Sequence, residues 1–155
     1  MPHMQKSTLV PSYMLVGKDA RCFLSDLYLI KEDEVVDVME LRNYGASVVY
    51  VRDREGVPVL ASLADNLSLC EGYNKILASY DGDALYLAIA QGEELKLASA
   101  YPAGDFTTAE YFLFLAIKAL QINPEVSSIC FATPLTEEQE MSLGRYFHAV
   151  EVVQI

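Results

Sequence analysis

A continuous apolar segment near the C-terminus constrains the fold of this chain more than any other feature. Residues 128–133 read Ser-Ile-Cys-Phe-Ala-Thr, a run of strand length without a charged side chain. Such a run is typical of an interior strand in a parallel sheet whose two faces are both covered. Helical patterns precede and follow it, so the sequence predicts an α/β fold.

An antiparallel meander is predicted before this strand. Turn signals at residues 81–83 and 91–94 separate three segments of strand character. These segments are residues 75–80, 84–90 and 95–101. With a β-branched strand at residues 149–155, the predicted order is β-β-β-α-β-α-β in a mixed sheet.

Both helices of this pattern carry capping signals. Thr107 and Glu110 fit a capping box, in which two side chains satisfy free N–H groups of the helix start. Thr136 and Gln139 fit a second one. The first helix, residues 111–120, is apolar on almost every face. We therefore expect it to be buried on both sides or covered by another layer.

Residues 1–72 show a less regular pattern, which predicts a smaller α+β segment before the meander. A hairpin is expected around Gly45, because segments rich in valine flank a turn there. The predicted elements are a strand at 8–11, a helix at 19–30, hairpin strands at 34–41 and 46–52, and a helix at 57–67.

The chain is acidic, with 11 basic and 22 acidic residues among 155 and a net charge of −11. A field of this sign repels phosphate backbones and anionic lipid, so we expect no nucleic-acid partner and no membrane partner. No apolar run approaches the roughly 18 residues of a membrane-spanning helix. The N-terminus also lacks the apolar core of a signal peptide, so a cytoplasmic location is expected.

The cysteines and histidines suggest no site. Cys22, Cys70 and Cys130 are far apart in sequence and odd in number, so they predict no disulfide framework. Cys130, within the apolar run, is interpreted as a small buried hydrophobic residue. The two histidines, His3 and His148, do not fit a metal site with these cysteines. His148 near a helix C-terminus is better explained by the helix dipole than by catalysis.

The order β-β-β-α-β-α-β is the layout of the ribonuclease-H-like fold, the half-unit of actin-like ATPases. The chain also resembles a family of bacterial proteins that have an actin-like ATPase fold and no assigned function. The resemblance rests on residues 8–12 and 31–36 and chiefly on residues 84–125. It implies that residues 1–72 are a partial N-terminal actin-like half and residues 73–155 a ribonuclease-H-like C-terminal half.

Family members resemble two such halves in tandem, and the opening hairpins of the first half have no counterpart before Thr8. The resemblance therefore implies a missing start of the N-terminal half and an exposed face where that part would pack. We expect a protein partner or a second copy of the chain on this face. The 10 tyrosines fill the core or, alternatively, form such a recognition surface.

Actin-like ATPases hold nucleotide between their halves with glycine-rich hairpins. The matching turn here is Asp81-Gly82-Asp83, whose carboxylates would repel phosphate unless Mg²⁺ lay between them. The glycine pair expected for adenosine is replaced by residues 133–136, Thr-Pro-Leu-Thr. We interpret Asp81, Gly82 and Asp83 as a structural turn. The alternative is a phosphate and Mg²⁺ loop for ATP.

Other catalytic patterns are missing from the sequence. A nuclease of the ribonuclease-H type needs carboxylates that converge on two metal ions, but residues 76–80 contain no Asp or Glu. Gly17-Lys18 lacks the spacing of a phosphate-binding P-loop. The sequence thus favours a non-catalytic protein-interaction module without a cofactor. An ATP- and Mg-binding actin-like protein, completed by a partner or by a missing half, is the alternative.

Overall fold

Two β-sheets of different size organise the chain. The computed structural model describes residues 6–15, 17, 19–41, 44–51 and 58–155. The described residues do not include His3, Lys18 or the predicted element ends at residues 52 and 57.

The smaller sheet is antiparallel and comes first in the chain. Its strands are β1 (Ser7–Pro11), β2 (Val36–Leu41) and β3 (Ala46–Val51), in the spatial order β1-β3-β2. The predicted short strand and hairpin are therefore confirmed. Helix α1 (Ala20–Ser25) is shorter than predicted, because the backbone amides of Leu27 and Tyr28 both donate to the carbonyl of Leu24 and close its last turn.

The larger sheet contains the predicted meander. Helix α2 (Val59–Asp65) precedes it, and its first strands are β4 (Asn74–Tyr80), β5 (Ala84–Gln91) and β6 (Glu94–Pro102). Helix α3 (Phe106–Ala119), β7 (Ser128–Phe131), α4 (Glu137–Gly144) and β8 (Ala149–Val152) follow. The spatial order is β6-β5-β4-β7-β8. The pairs β4–β7 and β7–β8 are parallel and the others antiparallel, which confirms the mixed sheet and the interior position of the apolar run.

Alternate side chains of the larger sheet build two cores. Ile76, Ile129 and Phe131 pack with α3 and α4 on one face. Leu77 and Cys130 point to the other face, where they pack with α2 and with one side of the smaller sheet. Helix α1 covers the opposite side of the smaller sheet, through a cluster formed by Val10, Leu24, Val49 and Val51. Both faces of β7 are thus covered, as an uncharged strand requires.

The predicted capping box at the start of α3 is wrong. The helix begins at Phe106, and the N-cap is Asp105, whose Oδ1 accepts a hydrogen bond from the Thr108 amide at 2.7 Å. The Phe106 ring lies 5.6 Å from that of Tyr80, and this packing brings the start forward. Glu110 accepts a hydrogen bond from Ser142 of α4 instead.

The second capping box is confirmed at the start of α4. The Gln139 amide donates to Thr136 Oγ1 at 3.1 Å, and the Thr136 amide donates to Gln139 Oε1 at 3.0 Å. These two reciprocal bonds satisfy donors that an uncapped helix leaves free.

The outer face of α3 is exposed, contrary to the expectation of a second covering layer. Ala109, Leu113 and Ile117 face the sheet, whereas Tyr111 and Leu115 are 60% and 46% exposed. Helix α2 and the smaller sheet lie on the other side of the larger sheet, so no described element covers α3 from outside. Within the described ranges, no helix combines the length and apolar character needed to cross a membrane.

Candidate functional site

The carboxyl ends of parallel strands β4 and β7 lie side by side at one end of the larger sheet. Ligands commonly bind at this end of the strands in α/β proteins. The amide of Tyr80, at the end of β4, donates to Thr133 Oγ1 in the loop after β7 at 3.1 Å. The turn after β4 and the start of α3 lie at the same end. We name Asp81, Asp83, Asp105 and Thr133 the strand-end site.

Asp81 shapes the turn itself. Its Oδ1 accepts hydrogen bonds from the amides of Asp83 at 2.9 Å and Ala84 at 2.8 Å. Gly82 has a φ of +91°, a conformation that a side chain would strain. A loop that cradles phosphate offers free backbone amides, but two amides of this turn already bind the Asp81 carboxylate.

The helix starts near this site are also occupied by the chain's own side chains. Hydrogen bonds from the backbone and then the side chain of Thr108 hold the pKa of Asp105 below its ordinary value. Thr136 similarly caps α4. A helix N-terminus binds an anion through free N–H groups, so these caps compete with any phosphate.

Tyr80 joins the elements of the strand-end site. Its hydroxyl donates to the Ala103 carbonyl at 3.2 Å, and the Ala103 amide donates to the carbonyl of Asp83 at 2.8 Å. Burial raises the pKa of Tyr80, and the negative charges of Asp105, Asp81 and Asp83 raise it further. The local field is therefore negative. The described residues include no group of three or more His, Cys, Asp or Glu side chains arranged to hold a metal ion.

The structure separates the other candidates from this site. His148 lies at the opposite end of β7 from Thr133, because its amide donates to the carbonyl of Ser127, the residue before that strand. It lines a shallow groove between α4 and β8, together with Glu140 and Met141. Glu110 lies between α3 and α4, so it does not converge with the strand-end carboxylates.

Sequence reasoning missed one member of the strand-end site and one link within it. Asp105 is one of the strongest N-cap residue types and directly precedes Phe106, which was a signal for the true helix start. The link between Tyr80 and Thr133 joins residues 53 positions apart, and no local pattern indicates it.

Comparisons with known proteins identify the fold. No protein-family model matches the chain, and no curated protein matches it. A solved structure from Bacteroides thetaiotaomicron, described as a protein with actin-like ATPase fold and unknown function, matches with a TM-score of 0.74 at 16% sequence identity. The match covers 96% of this chain, which spans 65% of the length of that structure. The chain therefore has the actin-like ATPase fold of that Bacteroides protein of unknown function.

Proposed function

We propose that the chain is a non-catalytic protein-interaction module built on the actin-like ATPase fold. The proposal is supported by the strand-end site and the nearby start of α4, where Asp81, Asp105 and Thr136 already satisfy amides that a phosphate would need. The surrounding field is negative as well. We therefore assign the contacts with other proteins to the surface of the fold and not to the strand-end site.

The outer edge of β1 is the surface that we assign to this contact. The four edge strands of the two sheets are β1, β2, β6 and β8. Among these described strands, only β1, with the sequence Ser-Thr-Leu-Val-Pro, contains no charged residue. Charges on edge strands oppose pairing with another chain, so β1 is the edge least protected by charge, although Pro11 at its end lacks an amide donor. This contrast is the observation that carries the proposal.

Exposed apolar side chains flank both ends of β1. Tyr13 follows its C-terminal end and is 78% exposed, and Leu29 is 86% exposed. Leu29 lies near the N-terminal end, because its carbonyl accepts a hydrogen bond from Lys6 Nζ at 2.7 Å. The neighbouring Tyr28 donates to the carbonyl of Ser7 at 3.2 Å. We call β1 with Tyr13 and Leu29 the β1-edge surface.

A second copy of the chain is the partner that this surface fits most simply. Two β1 strands related by a two-fold axis would pair antiparallel, and neither would remain open to a further chain. The net charge of −11 opposes association, but the β1 strand itself is uncharged. Another protein could instead add a strand to the same edge.

Light scattering after size exclusion, over a dilution series at physiological salt, tests this proposal. We expect a dimer that dissociates on dilution and that Leu29→Lys or Tyr13→Lys shifts to monomer. Val126→Lys is the matched control, because Val126 is 74% exposed but lies in the turn before β7. A monomer at every concentration, or equal effects of all three substitutions, would contradict self-association through β1.

Binding of ATP and Mg²⁺ at Asp81, Gly82 and Asp83 is the second candidate. It is supported by the position of this turn at the carboxyl end of β4 and by the exposure of Asp83. Ligand at 100 times Kd would add about 2.7 kcal/mol to stability, so Mg·ATP should raise the thermal midpoint by several degrees. Asp83→Asn should remove this shift, whereas Glu93→Gln in the next hairpin turn should not.

A further inference from the structure

Two buried thiols that are 60 positions apart in sequence meet beside β7. Cys70 and Cys130 are 3% and 1% exposed and belong to the same core cluster. Cys130 pairs with Leu77 across the parallel strands. Cys70 Sγ lies 3.7 Å from the carbonyl oxygen of Ile76, the neighbour of Leu77. Each thiol is the group that most strongly shifts the pKa of the other, so the two side chains are neighbours within this cluster.

We propose that Cys70 and Cys130 are a modification site, which a peroxide converts to an intramolecular disulfide in the folded chain. Both sulfurs lie in the same core cluster beside β4 and β7, so the reaction joins two groups that already pack on one face of the larger sheet. Cys22 is exposed and belongs to a different part of the fold, next to the Leu24 cluster.

The chemistry takes place in two steps. The Cys130 thiolate attacks one oxygen of hydrogen peroxide, which breaks the O–O bond, releases hydroxide and leaves a sulfenic acid. The Cys70 sulfur then attacks the Cys130 sulfur and expels the hydroxyl group, which leaves as water with the Cys70 proton. Overall, two thiols lose two protons and two electrons, and one peroxide is reduced to two waters.

The surroundings decide which thiol reacts first. The hydrogen bond from Cys70 lowers the pKa of Cys130, whereas the same bond and burial raise the pKa of Cys70. Burial and the charges of Glu151 and Glu71 oppose the Cys130 thiolate, and Lys75 favours the Cys70 thiolate. Since the thiolate is the nucleophile and the exposed Glu151 side chain lies next to Cys130, we assign the first attack to Cys130.

An exposed side chain lies next to Cys130. Glu151, on edge strand β8, is exposed, and its Oε2 lies 3.8 Å from Cys130 Sγ. We expect peroxide to approach Cys130 from the side of this carboxylate. Cys70 follows the short 3-10 helix at Leu67–Leu69, which connects α2 to β4. The disulfide would covalently link the segment between α2 and β4 to β7.

The test uses the full chain, first reduced and then treated with hydrogen peroxide under native conditions. After removal of peroxide, the chain is denatured, its remaining thiols are alkylated, and its mass and peptides are measured. We expect a chain lighter by two hydrogens, one alkylated residue at Cys22 and a linked peptide that contains Cys70 and Cys130. Dithiothreitol should reverse the change, and the oxidised chain should have the higher thermal midpoint.

Variants identify the two sulfurs and keep the test independent of folding defects. Cys22→Ser should form the same disulfide, whereas Cys70→Ala and Cys130→Ala should form none. The proposal is overturned if wild-type Cys70 and Cys130 both remain open to alkylation after peroxide, if the bridge includes Cys22, or if it forms only in urea.

Discussion

The hydroxyl of Ser142 lies 2.9 Å from one carboxylate oxygen of Glu110 and 3.0 Å from the other, and its hydrogen bond joins α4 to α3. Ser142→Ala should therefore lower the free energy of unfolding by about 1 kcal/mol, since the half-buried carboxylate loses a donor. Urea unfolding measures the change. Ser68→Ala, at an exposed position of a 3-10 helix, is the control and should change stability by less than about 0.5 kcal/mol. Equal losses in both variants would contradict the bond's role.

The cap of α3 predicts a dependence of stability on pH. The pKa of Asp105 is lowered in the folded chain, so its contribution is present above the unfolded value of about 3.9 and is lost as the pH falls through the folded pKa. Asp105→Asn keeps a capping side chain but removes the titration. The wild type should thus lose more thermal stability than Asp105→Asn between pH 5 and pH 2, whereas Thr107→Ala should follow the wild type. Parallel curves for wild type and Asp105→Asn would show that the carboxylate charge does not stabilise the cap.

Two leucines of α3 distinguish its inner and outer faces. Leu113 is fully buried against the sheet, so Leu113→Ala should cost about 2–5 kcal/mol in unfolding free energy. Leu115 is 46% exposed, so Leu115→Ala should cost much less. Chemical denaturation of both variants gives the comparison. Similar losses would mean that Leu115 is covered by something that the described residues do not show.

The charge of Glu151 should slow the oxidation of Cys130. Its carboxylate raises the pKa of that thiol, although the bond from Cys70 keeps the pKa below its ordinary value. The rate of disulfide formation should rise with pH as Cys130 loses its proton, and Glu151→Gln should move this rise to lower pH. The reaction is quenched at set times and the mass of the chain is measured, which gives the rate of disulfide formation at each pH. Glu94→Gln is the control. An unchanged profile for Glu151→Gln would contradict this role of the carboxylate.

Local patterns were sufficient for most elements of the larger sheet. The apolar run became β7, the turn signals separated β4, β5 and β6, and the capping box at Thr136 formed as expected. The start of α3 was misplaced because Asp105 and Thr107 are both good capping residues. The choice between them depends on where Phe106 packs against Tyr80, which is a contact between distant parts of the chain.

The sequence by itself determined the type and order of the strands and helices, because turn residues, caps and hydrophobic periodicity act over a few neighbouring positions. It also determined the acidic charge of the chain and the lack of charged residues in β1, whereas the position of β1 at a sheet edge came from the tertiary structure. Only the tertiary structure decided that Leu115 is exposed, that Tyr80 binds Thr133 and that Cys70 meets Cys130. These relationships depend on which faces pack together and on the register between strands, and residues far apart in the chain become neighbours only when the sheets assemble.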